Sequence, residues 1–296
     1  MLRRCSAAAL LVVVLSPASA FAWGFEAHKA IMRRAIEILP PELKPYFVAH
    51  REEIVFRSID PDLWRTIGWE EDSNHFMNFG APEFGPFPFA GMPRDYGEAL
   101  QKFGEVQLRR LGTLPWREAE MFGQLQRGFV AMGRGGVFST VDVVLFTGAA
   151  SHYIQDATQP LHASNSYDGQ DTNQRGIHSR FESALFEQFE SRLTLTPAPP
   201  KAFVSPRDYA FDTLLESYQK IPAMLKADKE AVGGKDLYDA EYYEAFFQKV
   251  KPLLEERLSA AVTATASVIV SAWEHAGRPV VRDPAQGSYF REKVRK

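Results

Sequence analysis

Cysteine is almost missing from this chain: among 296 residues there is one, Cys5. It falls in a stretch that reads as a secretory signal peptide. Arg3 and Arg4 are followed by the short apolar run AAALLVVVL and by Ala20-Phe21-Ala22, an A-x-A cleavage site. Cleavage between Ala22 and Trp23 would leave residues 23–296 without a thiol. Disulfides and a cysteine nucleophile are thereby excluded, although an exported protein would be free to use disulfides. Long apolar runs are also lacking. The N-terminal run is short for a membrane span, and Leu258–Trp273, though uncharged, is short and rich in Ala, Ser and Thr. It reads as a buried helix, so no transmembrane segment is expected in the mature chain. An excess of positive charge is missing too. Lys and Arg number 34 against 37 Asp and Glu. Losing Arg3 and Arg4 leaves 32 against 37, a net charge of −5, which is no basic nucleic-acid footprint. There is no G-x-S-x-G motif, no internal repeat and no convincing alternating strand.

What is present is helical periodicity. His28, Met32, Ala35 and Leu39 fall on one face of a first helix, which Pro40-Pro41 ends. Further helices are predicted near 97–111, 115–132, 139–158, 178–191, 206–226, 238–250 and 252–276. Ser139 with Asp142 resembles a capping box opening the 139–158 helix. Residues 57–96, rich in Pro, Gly and aromatics, and residues 163–177 read as long irregular loops, which in a compact domain are usually functional or disordered. The expectation is an all-α fold: one compact multi-helix domain, 23–296, with its site framed by those two loops.

The chemistry concentrates in SHYIQDATQPLH, Ser151–His162, which follows the almost wholly apolar VDVVLFTGAA. Burying imidazoles and carboxylates is costly unless they find partners. His152 and Asp156 are four apart and share a helix face. His178 and Glu182 repeat that geometry in GIHSRFES. Pro160 ends the helix and lets His162 turn back towards the same cavity. One such pair would be unremarkable as charge neutralisation. Two of them, with His162 and with His28 on an apolar helix face, form a metal-site pattern.

These residues resemble those of the superfamily of zinc-dependent phospholipases C and three-zinc, single-strand-specific nucleases of fungal type. Trp23-Gly24 with His28 resembles the family's mature N-terminus, Asp60 precedes His75 by the fifteen residues seen in the nucleases, and SHYIQDATQPLH and GIHSRFES resemble the two main ligand motifs. The resemblance implies three zinc ions. Asp60, His75, His152 and Asp156 would hold the first, and His162, His178 and Glu182 the second. The third would be held by His28 and by the amino nitrogen and carbonyl of Trp23, with Asp156 bridging it to the first. Asp62 is the rival of Asp60; spacing favours Asp60. His50 and His275 match nothing in the pattern. Three divalent ions against three carboxylates leave a positive cavity suited to a phosphodiester. Metal-bound water ionises near pH ~7, so no protein nucleophile is needed, and Asp60 would orient that water or act as base.

The substrate is divided between two readings. Glu182 and the absence of mature cysteines resemble the phospholipases; the short step from Trp23 to His28 resembles the nucleases. The nucleases also place an arginine three residues after the first aspartate, where counting from Asp60 gives Leu63, with Arg57 or Arg65 as substitutes. The aromatics Phe76, Phe79, Phe84, Phe87, Phe89 and Tyr167 would stack on a base, line a head-group pocket, or merely pack. The expected function is therefore an exported, periplasmic or extracellular, zinc-dependent phosphodiester hydrolase acting on phospholipid head groups. Single-stranded nucleic acid is the alternative substrate, and a non-catalytic metal-binding protein ranks last.

Overall fold

The computed structural model describes residues 23–68 and 70–283. The expected signal peptide, residues 1–22, lies outside them. In chain order the helices are α1 (Phe25–Glu37), α2 (Lys44–Ala49), α3 (Arg51–Arg57), α4 (Asp60–Thr66), α5 (Tyr96–Phe103), α6 (Glu105–Leu111), α7 (Leu114–Gly133), α8 (Ser139–Thr158), α9 (Ile177–Ser179), α10 (Leu185–Phe189), α11 (Pro206–Tyr218), α12 (Ile221–Val232) and α13 (Ala240–His275). A wider π-helical turn, Arg180–Ala184, joins α9 to α10. No strand occurs among the described residues, and no helix there is long and apolar enough to cross a membrane. The all-α expectation holds.

Helix boundaries follow proline more closely than periodicity alone suggests. Pro45, Pro61, Pro115, Pro206 and Pro222 each sit in the first turn of a helix, where the missing amide costs nothing. Pro222 therefore divides the predicted 206–226 helix into α11 and α12. Pro252 does the opposite of what was expected. It lies on the exposed side of α13, which runs through it unbroken and merges the predicted 238–250 and 252–276 helices. The predicted 97–111 helix parts at Gly104, and the 57–96 loop contains α4. The capping box does not form: the N-cap of α8 is Phe138, and Ser139 Oγ instead donates to the Gly136 carbonyl.

At the centre, α8 packs antiparallel to α7 and against α13, with α1, α3 and α11 closing around it. Every residue of α8 from Thr147 to Thr158 is buried, so its polar side chains have only the protein for solvent. An extended strap, residues 193–204, lies along α13. Its amides from Thr194, Thr196, Ala198, Lys201 and Phe203 donate to the side chains of Glu255, Ser259, Thr263, Ser267 and Ser271. Four helical residues rise about 6 Å, close to two extended residues, so side chains four apart on α13 meet amides two or three apart on the strap. That is what Ser259, Thr263, Ser267 and Ser271 do.

Candidate metal centre

The last turns of α8 carry His152 and Asp156 inward, both fully buried. His28 comes from α1, Asp62 from α4, and His75 from the turn Asp72–His75. His162 comes from the turn Pro160–Ala163 that follows α8, His178 from α9, and Glu182 from the π-turn. These side chains form three groups, each with ligand atoms within 4.8 Å of one another: His28–His152–Asp156, Asp62–His75–His152, and His162–His178–Glu182.

Main-chain and amide acceptors orient the rings. His152 Nδ1 donates to the Ser58 carbonyl at 2.8 Å, His162 Nδ1 to the His75 carbonyl, and His178 Nδ1 to the Tyr167 carbonyl at 2.9 Å. His28 Nδ1 donates to Gln155 Oε1 at 2.6 Å, and Gln155 is held by Thr265. With Nδ1 so occupied, each Nε2 presents its lone pair inward. His162 Nε2 and His178 Nε2 then face one another at 3.1 Å, with Glu182 Oε2 2.8 Å from the latter. Two lone pairs so close repel unless a proton or a metal cation lies between them. Five further buried atoms have no hydrogen-bond partner: His28 Nε2, His75 Nε2, Asp62 Oδ2, Asp156 Oδ1 and Glu182 Oε1. Buried polar atoms are rarely left so, and these five belong to the side chains that form the three groups. The residues fit a multi-metal site.

The electrostatics agree. Burial works against charge at His152, but the Asp156 and Asp62 carboxylates outweigh it and push the imidazole up to about 9. Burial likewise opposes the charge on Asp156, yet the His152 and His162 imidazoles hold its carboxyl well below the usual range. At His75 burial prevails and lowers the imidazole. The field at the centre of the cluster thus favours positive charge.

In this geometry Asp62, and not Asp60, stands beside the clustered imidazoles. Asp62 Oδ1 lies 3.8 Å from His75 Nδ1 and 4.0 Å from His152 Nε2. Asp60 stands two residues earlier on α4, about 200° around the helix, and its carboxylate pairs with Arg57 at 3.2 Å. It belongs to none of the three groups. The chain between α4 and His75 is partly irregular, so residue counting does not set position there. The shift brings in Arg65, three residues after Asp62, paired with Asp62 at 3.4 Å and with Asp72 at 2.7 Å. Arg65 lines a cavity of about 340 Å³ with Asp72, His75, Phe76, Leu161, His162, Tyr167 and His178.

Of the candidate aromatics, Phe76 and Tyr167 reach this cavity. Phe79, Phe84 and Phe89 are buried against one another, and Phe87 lies over Tyr218. Trp23 is buried, and its indole donates to the Gln155 carbonyl at 3.0 Å, which pins it beside the metal-facing helix. His50 and His275 lie outside the groups, on Asp283 and the Phe203 carbonyl. Sequence reasoning missed two supporting amides. Gln155 orients His28, and Gln159 donates to Glu182 Oε2 at 2.9 Å. Both stand inside SHYIQDATQPLH, on the same buried face as the ligands.

An all-α domain with three buried imidazole–carboxylate groups, two of them reaching a cavity that also holds Arg65, is the architecture of a multi-metal hydrolase. The family model for zinc-dependent phospholipase C matches residues 27–248, and the chain belongs to that family. No curated protein matches the chain significantly. Membership supports zinc as the metal and a phosphodiester hydrolase as the class of enzyme.

Proposed function

We propose that the chain is an exported phospholipase C-type phosphodiesterase with three zinc positions. Asp62, His75, His152 and Asp156 form the first, and His162, His178 and Glu182 the second. The third is formed by His28 and Asp156, with the main chain of Trp23 once the signal is removed. The observation that carries the reading is the gathering of the imidazoles and carboxylates into three adjoining groups, two of which reach, through His75, His162 and His178, a cavity that also holds Arg65. Zinc bound there supplies Lewis acidity towards phosphoryl oxygens and water made acidic enough to ionise near neutral pH.

The chain's own residues supply the rest. Arg65 is tied to Asp62 and Asp72, so its planar guanidinium is directed at the cavity, where it binds and orients a phosphate. Asp62, buried and with Oδ2 unpartnered, takes the role expected of Asp60 and accepts a proton from the attacking water. Phe76, Leu161 and Tyr167 form the apolar wall against which a substrate's non-phosphate part rests. The family match and Glu182 favour phospholipid head groups. One observation favours the second reading, single-stranded nucleic acid: Arg65 follows Asp62 by three, the spacing that the resemblance to the nucleases calls for.

The test is side-by-side turnover of phosphatidylcholine and single-stranded DNA by residues 23–296 loaded with zinc, with and without chelator. Chelator-sensitive release of phosphocholine is expected. Cleavage of DNA alone would transfer the site to the second reading. Bound zinc with no turnover of either would make it a non-catalytic metal site.

A further inference from the structure

Arg180 stands midway between His178 and Glu182, yet its side chain leaves the metal centre. Its guanidinium is buried and reaches into a network outside the ligand groups. Nε donates to the Tyr242 hydroxyl at 2.9 Å, and Nη2 to Asp228 Oδ1 at 3.0 Å. Nη1 donates to the Arg175 carbonyl at 2.8 Å, and Nη2 also to the Gln174 carbonyl at 3.3 Å. Asp228 is buried on α12, where it also accepts from Gln174 Nε2 at 2.7 Å and from the Tyr242 hydroxyl. The Tyr238 ring lies 3.8 Å from the guanidinium carbon. One planar fork therefore joins the end of the 163–177 loop, α12 and the first turn of α13. Gly176 makes the approach possible. Its φ is +82°, and a Cβ there would come within 2.9 Å of Arg180 Nη1.

We propose that the Arg180–Asp228 pair is the positioning device of the second metal position, His162–His178–Glu182. The inference rests on the metal reading above. The loop clamped through Gln174 and Arg175 is the one whose Tyr167 carbonyl fixes the His178 tautomer. The turn that carries Arg180 is the π-helical one that carries Glu182. A π-turn inside a helix is rare and is found mostly at functional sites, and here the buried fork fastens it to the neighbouring loop and helices. His178 is thus oriented from one side by the Tyr167 carbonyl and Glu182 by the Gln159 amide, and the segment that carries both is locked from the other side by a salt bridge outside the ligand groups. Such supporting contacts set ligand orientation and so affinity at one position, leaving the others alone.

The experiment compares Arg180→Lys with Tyr242→Phe and with the control Arg257→Lys. The control alters the ion pair between buried Arg257 and exposed Glu216, neither of which belongs to a ligand group. The readouts are zinc stoichiometry and zinc competition against a chelator series, with thermal stability of the zinc-free forms alongside. Arg180→Lys keeps the charge but loses the fork. It is expected to weaken one zinc of the set by roughly 10- to 100-fold while the remaining zinc is held as in the wild type. Tyr242→Phe, which removes a single hydroxyl and leaves the fold intact, is expected to weaken the same zinc by a smaller factor. Arg257→Lys should lower stability without altering zinc affinity. Wild-type zinc affinities in Arg180→Lys, or in Tyr242→Phe should the lysine variant fail to fold, would overturn the proposal while leaving the metal reading standing. A wild-type protein that takes up no zinc would overturn the metal reading itself.

Discussion

Gly148 offers a test in which the sign alone discriminates. It lies on α8 one turn before His152, where the end of α3 crosses. A Cβ built there would sit 2.4 Å from Arg57 Cβ and 2.6 Å from the Arg57 carbonyl carbon. Ordinary contact between such atoms begins near ~3.5 Å, so Gly148→Ala must displace the α3–α4 junction by about 1 Å. The next residue in that junction, Ser58, supplies the carbonyl that His152 Nδ1 bonds at 2.8 Å. Moving it by that much takes the bond beyond useful range. Overpacking of this kind costs about 1–3 kcal/mol. An unmade buried hydrogen bond costs about 1–3 kcal/mol more. A loss of roughly 2–6 kcal/mol follows, a large share of a typical domain's stability. Helix propensity alone predicts the reverse, a gain of about 0.5–1 kcal/mol on replacing a mid-helix glycine by alanine. Denaturant unfolding of the zinc-free protein measures the difference directly, and a zinc titration reports whether His152 has lost its orientation. Gly148→Ala that proved as stable as the wild type, with unchanged zinc affinity, would refute the argument that this glycine seats the Ser58 carbonyl.

Two further outcomes are expected. Asp62→Asn should remove at least one zinc and reduce turnover far more than Asp60→Asn, whose carboxylate serves Arg57; metal content and kcat/KM of the two variants decide it, and equal losses would contradict the assignment. Glu118 is fully buried on α7 with neither carboxyl oxygen partnered, and burial raises its carboxyl well above the ordinary 4.5. A raised folded-state value means that its protonated form is the one the fold accommodates. The associated stability is present below pH ~4.5 and is lost as pH rises towards the folded-state value, at about 1.4 kcal/mol per pH unit in that window. Glu118→Gln should therefore gain stability relative to wild type between pH 4.5 and 7. Parallel unfolding midpoints across that range would show that the carboxyl has a partner.

Much of the centre was legible because helices make spacing into geometry. His152 with Asp156, and His178 with Glu182, are one turn apart, so a helix puts each pair on one face whatever surrounds it. His28 on an apolar face and His162 just past Pro160 were readable for the same reason. Asp62 was not, because the path from α4 to His75 runs through irregular chain where residue counts carry no direction. The roles of Gln155 and Gln159 were hidden as well, since an amide within a buried run looks the same whether it orients a ligand or only packs.

The helical class, the histidine–carboxylate pairs one turn apart and the lack of disulfides were all readable from local periodicity and residue chemistry. Tertiary contacts alone placed Asp62 rather than Asp60 beside the clustered imidazoles, turned Arg65 to the cavity that three of those imidazoles line, and turned Arg180 away to clamp a loop. They also decided that Pro252 lies within one long helix, whose Ser and Thr stripe holds an extended strap. Each of these depends on contacts between segments far apart in the chain, where the burial and pairing of a polar group are set by what another helix brings to it.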